Sequence, residues 1–128
     1  FTEGNLSEDE YAKLLNSMDI GIVGYSPVTG SNPFLMTNIE LMGLSSGKLG
    51  VYTRSGLPIV LIGYPFPEDL LSEYDFAISI NDESQLPSAL EKLVANYCRH
   101  SSESRRFFDE VLNFDNHWPQ FSEVLKIG

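Results

Sequence analysis

The sequence has a single cysteine, no long apolar run and little positive charge. Cys98 cannot form a disulfide within the 128-residue chain, which predicts a reducing, cytoplasmic setting. No apolar run reaches the roughly 20 residues that span a bilayer, and the N-terminal residues do not resemble a signal peptide. Eight basic and eighteen acidic residues give a net charge of −10, which argues against unaided binding to nucleic acid or anionic lipid.

The sequence does contain enough apolar side chains for one folded core. Hydrophobic residues make up 42% of the chain, with six tyrosines, eight phenylalanines and one tryptophan. This length predicts a single domain over residues 1–128. Because the chain is acidic, a phosphate-bearing ligand needs a local site of backbone N–H groups and a few placed cations.

Hydrophobic periodicity and turn residues predict alternating helices and strands. Ser7 and Glu10 have the spacing of a capping box at the start of the first helix. Ser46 or Ser45 is expected to cap the second helix, and Gly56 to end it. Strands are predicted over residues 19–25, 59–62 and 76–80, and helices over 8–17, 47–55 and 67–72. After residue 86 the chain is predicted to be helical, with apolar faces that include Leu93, Val94, Phe107, Phe121, Val124 and Leu125.

This order of elements predicts an α/β fold with a parallel, Rossmann-like three-layer sheet. A doubly wound nucleotide-binding domain usually has about five or six strands. Because only three strands are predicted, the chain is expected to be part of such a domain, without its first strands. Residues 28–45 are predicted to form a loop with a short helical turn at 38–43, and loops of this length are often functional.

The strongest local signal for chemistry is the predicted helix start at Ser45, Ser46, Gly47 and Lys48. Free N–H groups and the helix dipole favour an anion there, Gly47 permits close approach of a ligand, and Lys48 adds a positive charge. The segment also follows a predicted strand, where α/β sheets bind ligands. An ordinary Ser-capped helix with a surface lysine is the alternative. The Walker A pattern is not met, because Leu49 replaces the Mg²⁺-ligating hydroxyl.

The ordered set of motifs resembles the C-terminal domain of GT-B-type glycosyltransferases of the large group-1 (family 4-like) kind. Residues 6–15 resemble the helix before the first strand of that domain, residues 80–93 the later strand and helix, and residues 114–118 the segment before the closing helix. The donor-site helix and the strand after it are matched by Ser46-Gly47-Lys48-Leu49 with Tyr52, and by Gly56-Leu57-Pro58-Ile59-Val60. The resemblance covers most of the chain.

The resemblance implies a glycosyltransferase, as in polysaccharide biosynthesis, that transfers sugar from a nucleotide-diphosphate sugar to a glycan or lipid-linked acceptor. It implies that Ser45, Ser46, Gly47 and Lys48 contact the donor phosphates and favour departure of the nucleotide diphosphate. No cofactor, metal ion or particular catalytic residue is implied. The donor would lie between this domain and an N-terminal domain of the same protein, so we expect little turnover from this chain alone. Peripheral membrane association through that other domain stays open.

The sequence departs from the family pattern at the ribose end of the site. Relatives usually carry a glutamate at the position of Val51, and the earlier glutamate of the pair falls near Gly43. Glu40 is a candidate substitute. Weaker candidates for donor contact, for which ordinary structural roles are the alternative, are Tyr25, Ser26, Tyr52 and Tyr64.

Two other functions remain open at this point. A degenerate, non-catalytic GT-B-like interaction domain is favoured by Val51. A sugar-nucleotide 2-epimerase shares the fold, although no residue specifically favours it. Neither His100 nor His117 has a carboxylate or cysteine at ligand spacing, and His117-Trp118-Pro119 is predicted to be a packing corner.

Overall fold

A computed structural model of the protein describes residues 6–25 and 44–126. The strands are β1 (Gly21–Gly24), β2 (Ile59–Ile62) and β3 (Ala77–Ile80). The helices are α1 (Glu8–Asn16), α2 (Gly47–Arg54), α3 (Glu68–Glu73), α4 (Leu86–Ala95), α5 (Tyr97–Phe107) and α6 (Phe114–Leu125). A 3₁₀ turn at Glu83–Gln85 precedes α4, and a π-helical turn at Phe108–Leu112 follows α5.

The three described strands form one parallel sheet in the order β1-β2-β3. Gly21 pairs with Ile59, and Ile59 pairs with Ala77, so the strands begin level with one another. The central strand β2 is apolar throughout, as expected of a strand that is covered on both faces. The predicted α/β class and parallel sheet are therefore confirmed.

Helices pack on both faces of this sheet. Alternate residues of β2 point to opposite sides, as the two-residue period of a strand requires. Ile59 and Leu61 join one buried cluster with Leu49 of α2 and Phe107 of α5. On the opposite face, Val60 and Ile80 join Ala89 and Leu93 of α4. The arrangement is thus three-layered, with the sheet between α2 and α5 on one side and α4 on the other.

The start of α1 and the end of α2 follow their sequence signals. At α1 the Glu10 carboxylate accepts from the Ser7 backbone N–H at 2.9 Å, and the Ser7 hydroxyl accepts from the Glu10 N–H at 3.3 Å. These two bonds confirm the capping box. At the end of α2, Gly56 has a φ of +73°, in the left-handed region that glycine tolerates. The turn after α2 is tied to α5, because Ser101 and Ser104 donate to the carbonyls of Gly56 and Leu57.

Some apolar residues predicted on core-facing sides of helices lie at the surface instead. Val94 is 63% exposed. The predicted packing corner is wrong, because His117-Trp118-Pro119 lies within α6. This helix contains no buried residue, so its apolar face faces away from the described core. Its exposed apolar side chains are Phe114, Trp118, Phe121, Val124 and Leu125.

The remaining boundaries differ little from the sequence predictions. Pro67 is the residue before α3 rather than part of its first turn. The predicted helical turn at residues 38–43 and nearly all of the predicted loop at 28–45 lie outside the described residues. Over the part of the chain that the structure describes, no helix is both long and apolar enough to cross a membrane.

Candidate functional site

A cleft of about 770 Å³ lies at the carboxyl ends of the three strands. Parallel strands place these ends along one edge of the sheet, where open α/β folds bind their ligands. Tyr25 lines the cleft after β1, and Gly63 lines it after β2. Lys48, in the first turn of α2, contributes the cation. Residues that follow β3 form the wall at the far side of the sheet.

The start of α2 has backbone N–H groups that the helix itself does not use. The first carbonyl of the helical ladder is that of Ser46, which accepts from the Gly50 N–H at 3.2 Å. The N–H groups of Gly47, Lys48 and Leu49 therefore precede the ladder and have no carbonyl partner within the helix. Among the described residues, leaving aside its two chain neighbours and the backbone of α2, no atom lies within 4 Å of where a Cβ on Gly47 would be.

Ser46 does not cap α2 with its side chain, contrary to the sequence prediction. It occupies the N-cap position, but its hydroxyl makes no bond to the helix. The Ser46 hydroxyl instead lies 3.1 Å from the Tyr25 hydroxyl and is buried. A contact between the end of β1 and the start of α2 has replaced the local capping bond.

Tyr25 also contacts one aromatic ring and one cation near the site. Its ring stacks on Tyr64 with centroids 5.4 Å apart, and the Lys48 ammonium lies 5.8 Å from the Tyr25 ring centroid. Burial, together with the neighbouring Tyr25, raises the pKa of Tyr64 above its ordinary value. Tyr64 therefore stays neutral at physiological pH and serves as a platform beneath Tyr25. Within the described part of the chain, Lys48 contacts this aromatic face and forms no ion pair.

Gly63 lies at the turn where β2 meets the cleft. Its φ is +59°, and a Cβ there would lie 3.1 Å from the carbonyl oxygen of Tyr25. A side chain would therefore strain the turn and crowd the backbone that positions Tyr25. The close approach of these two strand ends fixes the floor of the cleft.

The predicted site residues divide between the cleft and other places. Lys48 and Tyr25 line the cleft, whereas Tyr52 packs its ring against the backbone of Gly21 in β1. Ser45 is exposed beside the start of α2 and is not among the residues that line the cleft. Three other candidates, Ser46, Gly47 and Tyr64, lie next to cleft residues but are not among those that line it. The last two candidates, Ser26 and Glu40, lie outside the described residues.

Val51 faces a different cleft from the one that contains Lys48. This second cleft, of about 610 Å³, lies between α1 and α2 and includes Tyr11 and Leu15. In the family that the sequence resembles, a ribose-binding glutamate is usual at the position matched by Val51. The valine is partly buried against α1 here, so it offers no polar contact to a ligand beside Lys48.

Sequence reasoning missed the wall of the cleft that follows β3. Asn81, Asp82 and Glu83 line this wall, and all three are exposed. The Ser84 hydroxyl, followed by the Ser84 backbone N–H, holds the pKa of Asp82 below its ordinary value. A sequence signal was present, since these residues directly follow the third strand of a predicted parallel sheet. The carboxyl ends of all three strands had to meet at one edge.

Comparison with known proteins does not identify a ligand for this cleft. Among the described residues, no group of three or more His, Cys, Asp and Glu side chains is placed to hold a metal ion. Comparison of the chain with protein-family models, with curated proteins and with solved structures gave no match. The geometry and chemistry of the cleft therefore carry the functional argument.

Proposed function

We propose that this chain is the nucleotide-sugar-binding domain of a glycosyltransferase. In this proposal Lys48 and the N-terminus of α2 bind the diphosphate of the donor. The observation that carries the proposal is the position of Lys48 on a helix start whose N-cap hydroxyl is bonded elsewhere, at the carboxyl edge of a parallel sheet. Backbone N–H groups, a helix dipole and a lysine are the groups that bind phosphates in such folds.

The cleft has a size and composition that suit the proposed donor. Its volume of about 770 Å³ lies within the usual range of roughly 300–1,000 Å³ for small-molecule sites. Tyr25 provides an apolar surface beside Lys48. With a net charge of −10, the chain as a whole repels phosphate, so only such a local site could hold a diphosphate.

The same groups would assist transfer of the sugar. When the bond between the anomeric carbon and the diphosphate oxygen breaks, negative charge grows on the departing nucleotide diphosphate. Lys48 and the N–H groups of Gly47 and Lys48 would stabilise that charge as it develops. The acceptor would be a glycan or a lipid-linked sugar, and no described residue is proposed to activate its hydroxyl.

A second candidate function is a non-catalytic binding domain of the same fold. Val51 favours it, because a partly buried valine turned toward α1 replaces the carboxylate that holds ribose in the resembled family. Such a domain would have lost nucleotide binding while keeping its sheet and core.

Isothermal titration calorimetry distinguishes these two functions. The chain would be titrated with UDP, GDP and their hexose derivatives, and Lys48→Ala would be compared with Lys13→Ala, an exposed lysine of α1. We expect either the uridine or the guanosine nucleotides to bind. Lys48→Ala should weaken the affinity for that nucleotide about tenfold, and Lys13→Ala should leave the affinity unchanged. Absence of binding by every nucleotide would contradict the proposal and favour the non-catalytic domain.

A further inference from the structure

The two ends of the cleft carry opposite charge. Lys48 lies at the end next to β1, and Asp82 and Glu83 lie at the end that follows β3. Because the order of the strands is β1-β2-β3, two strand spacings, or about 10 Å, separate β1 from β3. A ligand that fills the cleft therefore meets a cation at one end and carboxylates at the other.

The carboxylate wall is held by a defined turn. The Gln85 side-chain oxygen accepts from the Asn81 N–H at 2.8 Å and from the Asp82 N–H at 3.4 Å. Asp82 accepts from the Ser84 N–H at 2.7 Å, so part of its hydrogen-bonding capacity is used by the turn itself. Within the described residues, the side chains of Asn81 and Glu83 have no hydrogen-bond partner. They are the groups of this wall that are available to a ligand.

The charges determine how a sugar nucleotide would lie in the cleft. Its phosphates are repelled by Asp82 and Glu83 and attracted by Lys48, so the diphosphate belongs at the β1 end. The part of the ligand that reaches the β3 end must then be neutral and able to donate hydrogen bonds. Sugar hydroxyl groups meet both conditions, because a carboxylate accepts strongly from hydroxyl donors.

We propose that Glu83 and Asn81 bind sugar hydroxyl groups of the donor while Lys48 binds its diphosphate. This inference rests on the proposed function, and it names the part of the cleft that selects the ligand. Glu83 would accept from two neighbouring hydroxyls, and the Asn81 amide would add one donor and one acceptor. Glu83 and Asn81 would thus supply the polar contact to a ligand hydroxyl that Val51 cannot make. The hydroxyls belong either to the transferred sugar or to the ribose.

Three probes that differ in their hydroxyl groups test this assignment by calorimetry. Pyrophosphate has no hydroxyls on carbon, UDP has those of ribose, and a UDP-hexose adds those of the sugar. Wild type would be compared with Glu83→Ala, Glu83→Gln and Asn81→Ala. Glu91→Gln, an exposed glutamate of α4, is the matched control. Circular dichroism and thermal unfolding would show that each exposed substitution leaves the fold intact.

If Glu83 accepts hydroxyls, Glu83→Ala weakens UDP-hexose binding about tenfold. The affinity of Glu83→Ala for pyrophosphate should equal or exceed that of wild type, because the substitution removes a negative charge that repels phosphate. Weakening of UDP-hexose alone assigns the hydroxyls to the transferred sugar, and equal weakening of UDP assigns them to ribose. If all three probes bind Glu83→Ala as well as wild type or better, Glu83 only repels phosphate and the inference is wrong. If wild type binds no nucleotide, the proposed function itself fails.

Discussion

The hydroxyl groups of Tyr25 and Ser46 lie 3.1 Å apart, which joins the end of β1 to the residue that precedes α2. Ser46 is in the position from which a serine ordinarily caps a helix, yet its side chain makes no capping bond. The Tyr25 contact therefore directs the serine hydroxyl away from the N–H groups of the first helical turn. Those groups are the proposed phosphate ligands.

Replacing Tyr25 by phenylalanine should weaken nucleotide binding without removing the aromatic platform. The Ser46 hydroxyl would lose its partner and become free to accept from the Lys48 or Leu49 N–H, in competition with the ligand. A serine cap stabilises a helix by about 1 kcal/mol, which corresponds to roughly a fivefold loss in affinity for UDP measured by calorimetry.

The double substitution Tyr25→Phe/Ser46→Ala is the decisive control. Alanine cannot cap the helix, so affinity should return to within about twofold of wild type if competition is the cause. Ser46→Ala alone should leave affinity nearly unchanged. An additive loss in the double variant would mean that the Tyr25 hydroxyl contacts the ligand directly.

Two glycines of α2 offer a matched pair for testing where the ligand lies. Within residues 6–25 and 44–126, no atom outside the adjoining residues and the backbone of α2 lies within 4 Å of where a Cβ on Gly47 or Gly50 would be, so we expect both positions to accept alanine in the free protein. Gly50→Ala should raise the free energy of unfolding by about 0.5–1 kcal/mol, because glycine is a poor helix former. Gly47→Ala, at the first helical position, should raise it less.

The effects of this pair on binding should differ. A methyl group on Gly47 would enter the space proposed for the diphosphate, and overpacking of about 1–3 kcal/mol corresponds to at least a fivefold loss of affinity. Gly50→Ala should bind UDP like wild type. Equal binding by both variants would mean that the ligand does not approach the start of α2.

The order of helices and strands could be predicted because its signals are local. The apolar run Ile59–Ile62 is too short for a helix, Ser7 with Glu10 marks a helix start, and Gly56 marks a helix end. The exposed face of α6 could not be predicted. Helical periodicity shows that an apolar face exists, but the packing of other elements decides whether that face is covered.

The site was predicted in part for the same reason. Lys48 lies in a local helix-start pattern, because Ser45 and Ser46 directly precede the predicted helix. The bond from Ser46 to Tyr25 spans 21 residues of sequence, and no local pattern could show that it replaces the cap. To predict Asn81 and Glu83 as cleft residues, one must know that β3 lies beside β2. That pairing is non-local.

Gly21 should be intolerant of any side chain because Tyr52 packs against its backbone. A Cβ on Gly21 would lie 2.5 Å from Cδ2 of Tyr52, so the ring would have to move. We expect Gly21→Ala to lower the free energy of unfolding by about 1–3 kcal/mol, as overpacking usually does. Chemical denaturation would measure this loss.

A compensating substitution separates overpacking from a backbone effect. Gly21→Ala/Tyr52→Leu should lose less stability than the sum of the two single substitutions, because leucine leaves room for the new methyl group. If the stability loss of the double variant equals the sum of the two single losses, overpacking against Tyr52 is not the reason that Gly21→Ala is destabilising. Tyr52→Leu should also leave nucleotide affinity unchanged, since Tyr52 packs on β1 rather than lining the cleft.

Stability in acid should depend on the ion pair between Glu103 and Arg106 on α5. Two guanidinium nitrogens of Arg106, Nη2 and Nε, lie 2.6 and 3.1 Å from the same Glu103 oxygen, and these hydrogen bonds lower the pKa of Glu103. A carboxyl whose pKa is lower in the folded state adds stability above its unfolded value of about 4.5. That contribution is lost as the pH falls through the folded-state pKa.

Glu103→Gln should therefore reduce stability near neutral pH and make its loss below pH 4.5 less steep. Thermal unfolding between pH 7 and pH 3 would measure both effects. Glu91→Gln, at an exposed position of α4, is the control and should keep the wild-type profile. Some acid sensitivity will remain in both variants, because the pKa values of Glu10 and Asp82 are also lowered by hydrogen bonds to Ser7 and Ser84. An unchanged slope in Glu103→Gln would contradict a contribution of the Glu103–Arg106 pair to stability in acid.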